Sequence, residues 1–189
     1  VVLPTTAGSG AEVTSSAVIY LNKIKYSVEG EGIVPDYFFL LPQLIVQNNK
    51  KLKSSAGFDA ISQSIESIIS VRSNKKSLFF AKKSLQLSLP NFTNFYNNPN
   101  QYNSSLMSLA AMYSGKAINI SKTAAPHAVS YPFTSLYGIS HGHAVSLTLE
   151  KFLQFNFKNI KYSNTIFDLS ERFKILFKIF NVKNIFELE

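Results

Sequence analysis

The sequence Gly57-Phe-Asp-Ala-Ile-Ser-Gln-Ser-Ile-Glu-Ser67 belongs to a predicted helix over residues 55–71. At 100° per residue, its large apolar side chains share one arc of the helix: Phe58, Ile61, Ile65, Ile68 and Ile69. Asp59, Gln63 and Glu66 share a different face, and the i, i+4 spacing of Asp59 and Gln63 lets their oxygens converge on one point. By itself, this spacing is weak evidence for a site, because the polar face of an amphipathic helix is normally solvated.

Helical periodicity continues over most of the chain after this helix. Further helices are predicted over residues 76–98, 101–120, 126–135, 141–156 and 164–179. Upstream, residues 18–20 and 24–28 are rich in β-branched and aromatic side chains, and the polar turn Leu21-Asn22-Lys23 between them predicts a hairpin. Residues 36–41, which end before Pro42, predict a short buried strand that pairs with this hairpin. The expected fold class is therefore mainly α, with a short β-hairpin and strand before the helices.

Composition limits the classes of function. With 189 residues, 46% of them hydrophobic, the chain is long enough to bury the core of one domain. No apolar run reaches the about 18 residues that a membrane span needs, so no membrane partner is predicted and the cytoplasm is the expected compartment. The net charge of +8 comes from scattered lysines without a concentrated basic stripe, which argues against a nucleic-acid partner.

Two of the three histidines lie close together in sequence, at His127 and His141. The chain has no cysteine, so any metal site must use nitrogen and oxygen ligands. With Asp59 and Gln63, the two imidazoles make a four-ligand set that suits Fe(II) or Zn(II). A lone histidine is more often a core or surface imidazole, and the spacing therefore permits a metal site without requiring one.

Four motifs follow one another along almost the entire chain: Pro4-Thr-Thr-Ala-Gly-Ser-Gly-Ala-Glu12, residues 57–67, Ser114-Gly-Lys-Ala-Ile-Asn119 and His127 with His141-Gly142. Their order and spacing resemble those of the iron-containing (group III) alcohol dehydrogenases. The resemblance implies the dehydroquinate synthase-like fold of that family, with a helical metal-binding domain at 51–189 that is incomplete at its C-terminus. Residues 1–50 would be the remnant of a nucleotide-binding α/β domain. The chain starts without methionine, and we expect a fragment of a longer protein with little turnover of its own.

The resemblance also implies a ligand set. The family binds its metal through an Asp, a His four residues later and two further His, and the matching positions are Asp59, Gln63, His127 and His141. Gln63 thus replaces the first His, and Tyr131 stands where the family commonly has a second His near the substrate. Fe(II) is the implied metal, with Zn(II) as an alternative because the same donor atoms accept both.

These two replacements, together with residues 115–131, most resemble the phosphonoacetaldehyde reductase branch of the family. The implied reaction is reduction of a phosphonate-bearing aldehyde to 2-hydroxyethylphosphonate by NADH or NADPH. Lys116 and Lys122 flank the segment that leads to His127, and Lys122 is the candidate cation for the phosphonate. Tyr131 is the candidate proton relay. The alternatives are that these lysines are ordinary surface residues and that Tyr131 only packs.

The resemblance places Thr5, Thr6 and Ser9 against the nicotinamide dinucleotide and Lys25 near its ribose, and it implies a homo-oligomer. Gly8 in the same loop would let the backbone approach a phosphate. Two other functions stay open: a general alcohol dehydrogenase for small uncharged alcohols, and a split remnant that serves as a helical interaction domain. Metal binding separates the remnant from the enzymes, and substrate charge separates the two enzymes.

Overall fold

The computed structural model describes residues 1–22 and 24–188; Lys23 of the predicted hairpin turn and Glu189 lie outside the described residues. Two strands and seven helices follow one another in the described part of the chain. They are β1 (Ser16–Leu21), β2 (Ile24–Glu29), α1 (Gln43–Val46), α2 (Lys50–Ile69), α3 (Lys75–Asn97), α4 (Gln101–Ser121), α5 (Ala125–Tyr137), α6 (His141–Lys158) and α7 (Leu169–Phe180). Single 3-10 turns lie at Ala11–Val13, Glu31–Ile33, Ile160–Tyr162 and Ile185–Glu187. The mainly α fold class is confirmed, while the division into domains at residue 50 stays a prediction.

Short polar side chains cap the starts of α2, α3, α4 and α7. Asn49 accepts from the backbone of Leu52 and begins α2 five residues before its predicted start. Asn74 and Asn100 each form a capping box at the start of α3 and α4. Asp168 caps α7 and delays its start from the predicted residue 164 to Leu169. Among the described residues no helix combines the length and apolarity that crossing a membrane requires.

The predicted hairpin is confirmed, but the predicted third strand is wrong. β1 and β2 pair antiparallel from Ser16 opposite Glu29 to Leu21 opposite Ile24. Residues 36–41 form only one isolated parallel bridge, between Phe38 and Val2. Tyr37 is 68% and Phe39 57% exposed, so the aromatic run does not make a buried strand. The backbone of Val2 takes the hydrogen bonds on either side of Phe38, so the segment pairs with Val2 rather than with the hairpin.

Helix α2 lies at the centre of the fold, with α3, α4 and α6 packed around it. Its apolar side joins the main core, whose fully buried members include Ile68, Leu85, Phe173 and Leu176. The predicted polar face is also buried, which makes the solvated-face interpretation wrong. Phe58, assigned to the apolar arc, is instead 41% exposed. A helix surrounded by other helices buries both faces, and its polar side chains then need partners from those neighbours.

Candidate metal centre

Three helices bring one carboxylate and two imidazoles together. Asp59 lies in the middle of α2, His127 in the first turn of α5, and His141 is the first residue of α6. One donor atom from each of these residues lies within 4.8 Å of the others. The Nε2 atoms of His127 and His141 lie 3.2 and 3.7 Å from the same oxygen, Oδ1 of Asp59. Two histidines that lie far from Asp59 in the sequence thus face the same oxygen of its carboxylate.

His127 is held on both sides of its ring. Its Nδ1 hydrogen-bonds to the carboxylate of Glu66, and its Nε2 faces Asp59. Burial opposes the charged imidazolium, but the charge of Glu66 and the hydrogen bonds to Asp59 and Glu66 outweigh it and raise the pKa of His127 to about 9. A metal bound at Nε2 would replace a proton at that atom.

His141 owes its position to the glycine that follows it. A Cβ on Gly142 would clash with the backbone of Ser55 and lie 2.9 Å from the backbone nitrogen of Asp59. The amide of Gly142 donates to Oγ of Ser55 at 3.2 Å. Because this residue has no side chain, α6 begins directly against α2, and His141 lies beside Asp59. Burial lowers the pKa of His141, which favours the neutral imidazole that a metal ligand requires.

Gln63 lies beside this cluster but is engaged elsewhere. Its Oε1 accepts a hydrogen bond from Oγ of Ser114 on α4 at 2.9 Å. The carboxylate and the two imidazoles are therefore the donors that face one another. One carboxylate and two imidazoles with open positions fit non-haem Fe(II), and three protein ligands with an open fourth position fit catalytic Zn(II). The residues present fit a divalent metal.

These donors line a cavity of about 660 Å³ between the helices and the hairpin. Tyr131 lines it as well, with its ring nearly parallel to that of His141 at a centroid distance of 5.8 Å. Burial raises the pKa of Tyr131 to about 12, so the phenol keeps its proton at neutral pH. The Nζ atom of Lys25 lies 3.2 Å from the centroid of the Tyr131 ring. The hairpin thus places a cation next to the cavity.

The remaining predicted residues are spread around this site. Ser9 lines the cavity, whereas the backbone oxygen of Thr5 accepts from Asn48 at 2.8 Å, and Thr6 is half-buried between these two positions. Nζ of Lys122 is bound to Glu29 of β2 at 3.1 Å. His143 is exposed.

Sequence reasoning gave no role to Glu66, although it grouped this residue with Asp59 and Gln63. Glu66 is fully buried and follows Asp59 by two helical turns on the same side of α2. A carboxylate at this spacing was a usable signal, because buried acidic side chains are rare unless they are paired. Its partners, the backbone of Ala124 and the ring of His127, lie just before and in the first turn of α5 and are not visible in the helix pattern.

Residues 53–186 match the model of the Fe-containing alcohol dehydrogenase family, C-terminal. The phosphonoacetaldehyde reductase of Streptomyces viridochromogenes is 31% identical over 159 residues, which are 82% of this chain and 40% of the relative. The 4-hydroxybutyrate dehydrogenase of Clostridium kluyveri is 27% identical over 149 residues, or 76% of this chain and 40% of the relative.

Solved structures agree with this match. The sulfoacetaldehyde reductase of Bifidobacterium kashiwanohense in complex with NAD+ has 32% identity and a TM-score of 0.78, covering 82% of this chain and 42% of that one. An iron-containing alcohol dehydrogenase of Thermotoga maritima has 27% identity and a TM-score of 0.82, covering 94% of this chain and 46% of that one. The chain thus spans less than half the length of these relatives. Since the family match covers most of its residues, this chain belongs to the Fe-containing alcohol dehydrogenase family.

Proposed function

We propose that the full-length protein is a metal- and NAD(P)-dependent oxidoreductase that interconverts an aldehyde and a primary alcohol. The observation that carries this proposal is the convergence of Asp59, His127 and His141 within 4.8 Å on the wall of a substrate-sized cavity. In this proposal, these three residues are the metal ligands, and Gln63 orients the site or makes a weak fourth contact. Fe(II) is the preferred metal and Zn(II) the alternative.

Each residue near the cavity has a distinct role in the proposal. When bound, the metal supplies Lewis acidity toward the aldehyde oxygen, and the reduced nicotinamide supplies the hydride. Asp59 provides the negative charge that retains a cation in a buried position, and the two imidazoles complete the donor set. Tyr131 keeps its proton at Oη beside His141 and can transfer it to the oxygen of the reduced substrate.

For the cofactor, we assign NADH or NADPH to the loop of Thr5, Thr6 and Ser9, with Lys25 near the ribose. The NAD+ in the sulfoacetaldehyde reductase structure supports the nicotinamide class. Ser9 lines the cavity and Lys25 lies beside Tyr131, so both are close to the proposed centre.

We propose that the full-length protein is a cytoplasmic homo-oligomer. We also propose that the 189 residues alone have little turnover.

For the substrate, we propose a small aldehyde that carries a phosphonate, converted to 2-hydroxyethylphosphonate. Two relatives at 31 and 32% identity are named for phosphonoacetaldehyde and sulfoacetaldehyde, both of them aldehydes with an anionic group. Lys122 is the proposed cation for this group. Because its Nζ is bound to Glu29, a phosphonate dianion would have to displace that carboxylate.

The metal centre is tested by anaerobic calorimetry with Fe(II) and Zn(II) on this chain. We expect one equivalent to bind to the parent chain and none to the double variant Asp59→Ala/His127→Ala. The matched control is His143→Ala, which removes an exposed imidazole on α6 and should leave binding unchanged. No binding by the parent chain would refute a metal centre in these 189 residues and favour the interaction-domain alternative.

The substrate is tested on the full-length protein, by comparing kcat/KM for phosphonoacetaldehyde and butyraldehyde. We expect a preference for the phosphonate that falls in Lys122→Ala, because the variant removes the cation but leaves the metal ligands in place. Equal rates on both aldehydes, with a ratio unchanged in Lys122→Ala, would identify a general alcohol dehydrogenase instead.

A further inference from the structure

Glu66 uses both oxygens of its carboxylate inside the protein. The side chain is fully buried, and it is one of only two acidic side chains on α2, the other being Asp59. One oxygen, Oε1, pairs with Nδ1 of His127, and the other, Oε2, accepts from the backbone amide of Ala124 at 2.5 Å. Both partners belong to the first turn of α5 or to the residue before it.

The local sequence explains why α5 needs this carboxylate. The residue before the helix is Ala124, which makes no side-chain cap, and the second helical residue is Pro126, which has no amide hydrogen. A carboxylate at a helix N-terminus is favoured both by the free amides and by the helix dipole. Glu66 therefore takes the place of the missing cap, and it does so from a neighbouring helix.

The same contact determines which nitrogen of His127 can bind a metal. When Nδ1 donates to a carboxylate, its hydrogen stays on Nδ1, and Nε2, which points away from Glu66, is the nitrogen whose proton a metal would replace. In this structure Nε2 faces Oδ1 of Asp59 at 3.2 Å. Histidine ligands commonly donate their second ring hydrogen to such a carboxylate, which orients the ring and makes the ligating nitrogen a better donor.

We propose that Glu66 is the positioning residue of the metal centre: it holds the first turn of α5 and the Nδ1 hydrogen of His127 so that Nε2 is presented to the metal beside Asp59. This inference rests on the proposed metal centre and adds a residue to it. A glutamine at this position replaces one of the two acceptor oxygens with an amide NH2 group, which only donates, so it cannot offer a separate oxygen to each of Ala124 and His127.

The test combines nitrogen NMR of isotope-labelled histidine with Zn(II) calorimetry on this chain. The variants are Glu66→Gln and Glu66→Asp, and Glu171→Gln is the matched control because it makes the same change at an exposed ion pair on α7. Circular dichroism establishes that each variant is folded. In the parent chain we expect a slowly exchanging Nδ1–H signal of His127 that persists when Zn(II) binds. Glu66→Gln should lose this signal and bind Zn(II) about 10- to 100-fold more weakly, whereas Glu171→Gln should match the parent.

Glu66→Asp keeps the charge but is one methylene shorter, and it carries the test if Glu66→Gln does not fold. We expect its His127 signal and its Zn(II) affinity to change together. Either both stay near those of the parent chain or both are lost. A folded variant that loses the Nδ1–H signal and still binds Zn(II) as tightly as the parent would overturn the proposal. A parent chain that binds no Zn(II) would overturn the metal centre itself, and that failure is visible before any variant is compared.

Discussion

The two faces of α2 are both buried, but they are stabilised in different ways. Ile61, Ile65 and Ile68 pack against apolar side chains of other helices, where burial of each contributes about 1.5–3 kcal/mol without requiring a specific partner atom. On the other face, Glu66 is bound by α5 and Gln63 by α4. A buried polar group left without its partner costs about 1–3 kcal/mol, so this face depends on individual contacts. The apolar face therefore stabilises the fold, and the polar face assembles the candidate site.

The largest loss of stability is expected on the apolar side, from Phe173→Ala. Phe173 is fully buried, with its ring 5.2 Å from that of Phe157, and its truncation leaves a cavity. We expect a loss of about 3–5 kcal/mol in the free energy of unfolding, measured by urea denaturation. Phe186→Ala, at an exposed aromatic ring, should change stability by less than about 0.5 kcal/mol. If Phe173→Ala is folded at low temperature and yet loses metal binding, the two faces are not independent.

A smaller loss of stability, but a direct effect on the site, is expected from Gly142→Ala. The added methyl group has no room against the backbone of α2, and overpacking of this kind costs about 1–3 kcal/mol. Relief of the clash must move the start of α6, and His141 with it, so Zn(II) should bind more weakly by calorimetry. Gly32→Ala is the matched control, because a Cβ there meets nothing within 4 Å. Unchanged stability and Zn(II) affinity in Gly142→Ala would contradict the conclusion that the missing side chain of Gly142 lets α6 begin directly against α2.

Gln63→Ala tests whether Gln63 is a metal ligand or only supports the ligands on the polar face of α2. It removes the hydrogen bond with Ser114, and we expect a loss of about 0.5–1.5 kcal/mol in stability. Because the Gln63 oxygen is engaged by Ser114, Zn(II) affinity should fall by less than about tenfold. Gln86→Ala, at an exposed glutamine of α3, controls for the loss of an amide. A loss of Zn(II) binding as complete as in Asp59→Ala/His127→Ala would make Gln63 a full ligand.

The smallest effect is expected from the ion pair that joins α4 to the hairpin. Lys122 and Glu29 are both partly exposed, and exposed pairs contribute about 0.2–1 kcal/mol. A double-mutant cycle of Lys122→Ala and Glu29→Ala on thermal unfolding should give a coupling in this range, with Zn(II) affinity unchanged. A larger coupling would mean that the hairpin is anchored mainly through this pair.

Much of the helical architecture follows from local patterns. Four of the six predicted helices, α3 to α6, lie within two residues of their predicted bounds, because the apolar periodicity and the Asn caps of α3 and α4 act over a few residues of chain. The segment at 36–41 was misassigned for the same reason. Its aromatic composition favours a strand, but the hydrogen-bonding partner that it finds is Val2, near the start of the chain. Local propensity cannot specify such a partner.

The candidate site divides in the same way. The residue types in the chain permitted a metal site, because a metal's donor atoms must come from a short list of side chains, and the resemblance to the iron-containing alcohol dehydrogenases assigned Asp59, Gln63, His127 and His141 to it. Tertiary structure alone added the burial of the polar face of α2, the pairing of Lys122 with Glu29 and the role proposed for Glu66. These features depend on which helix lies next to which. Contacts between helices that are 50 or more residues apart arise only when the whole core packs, and no local pattern encodes their geometry.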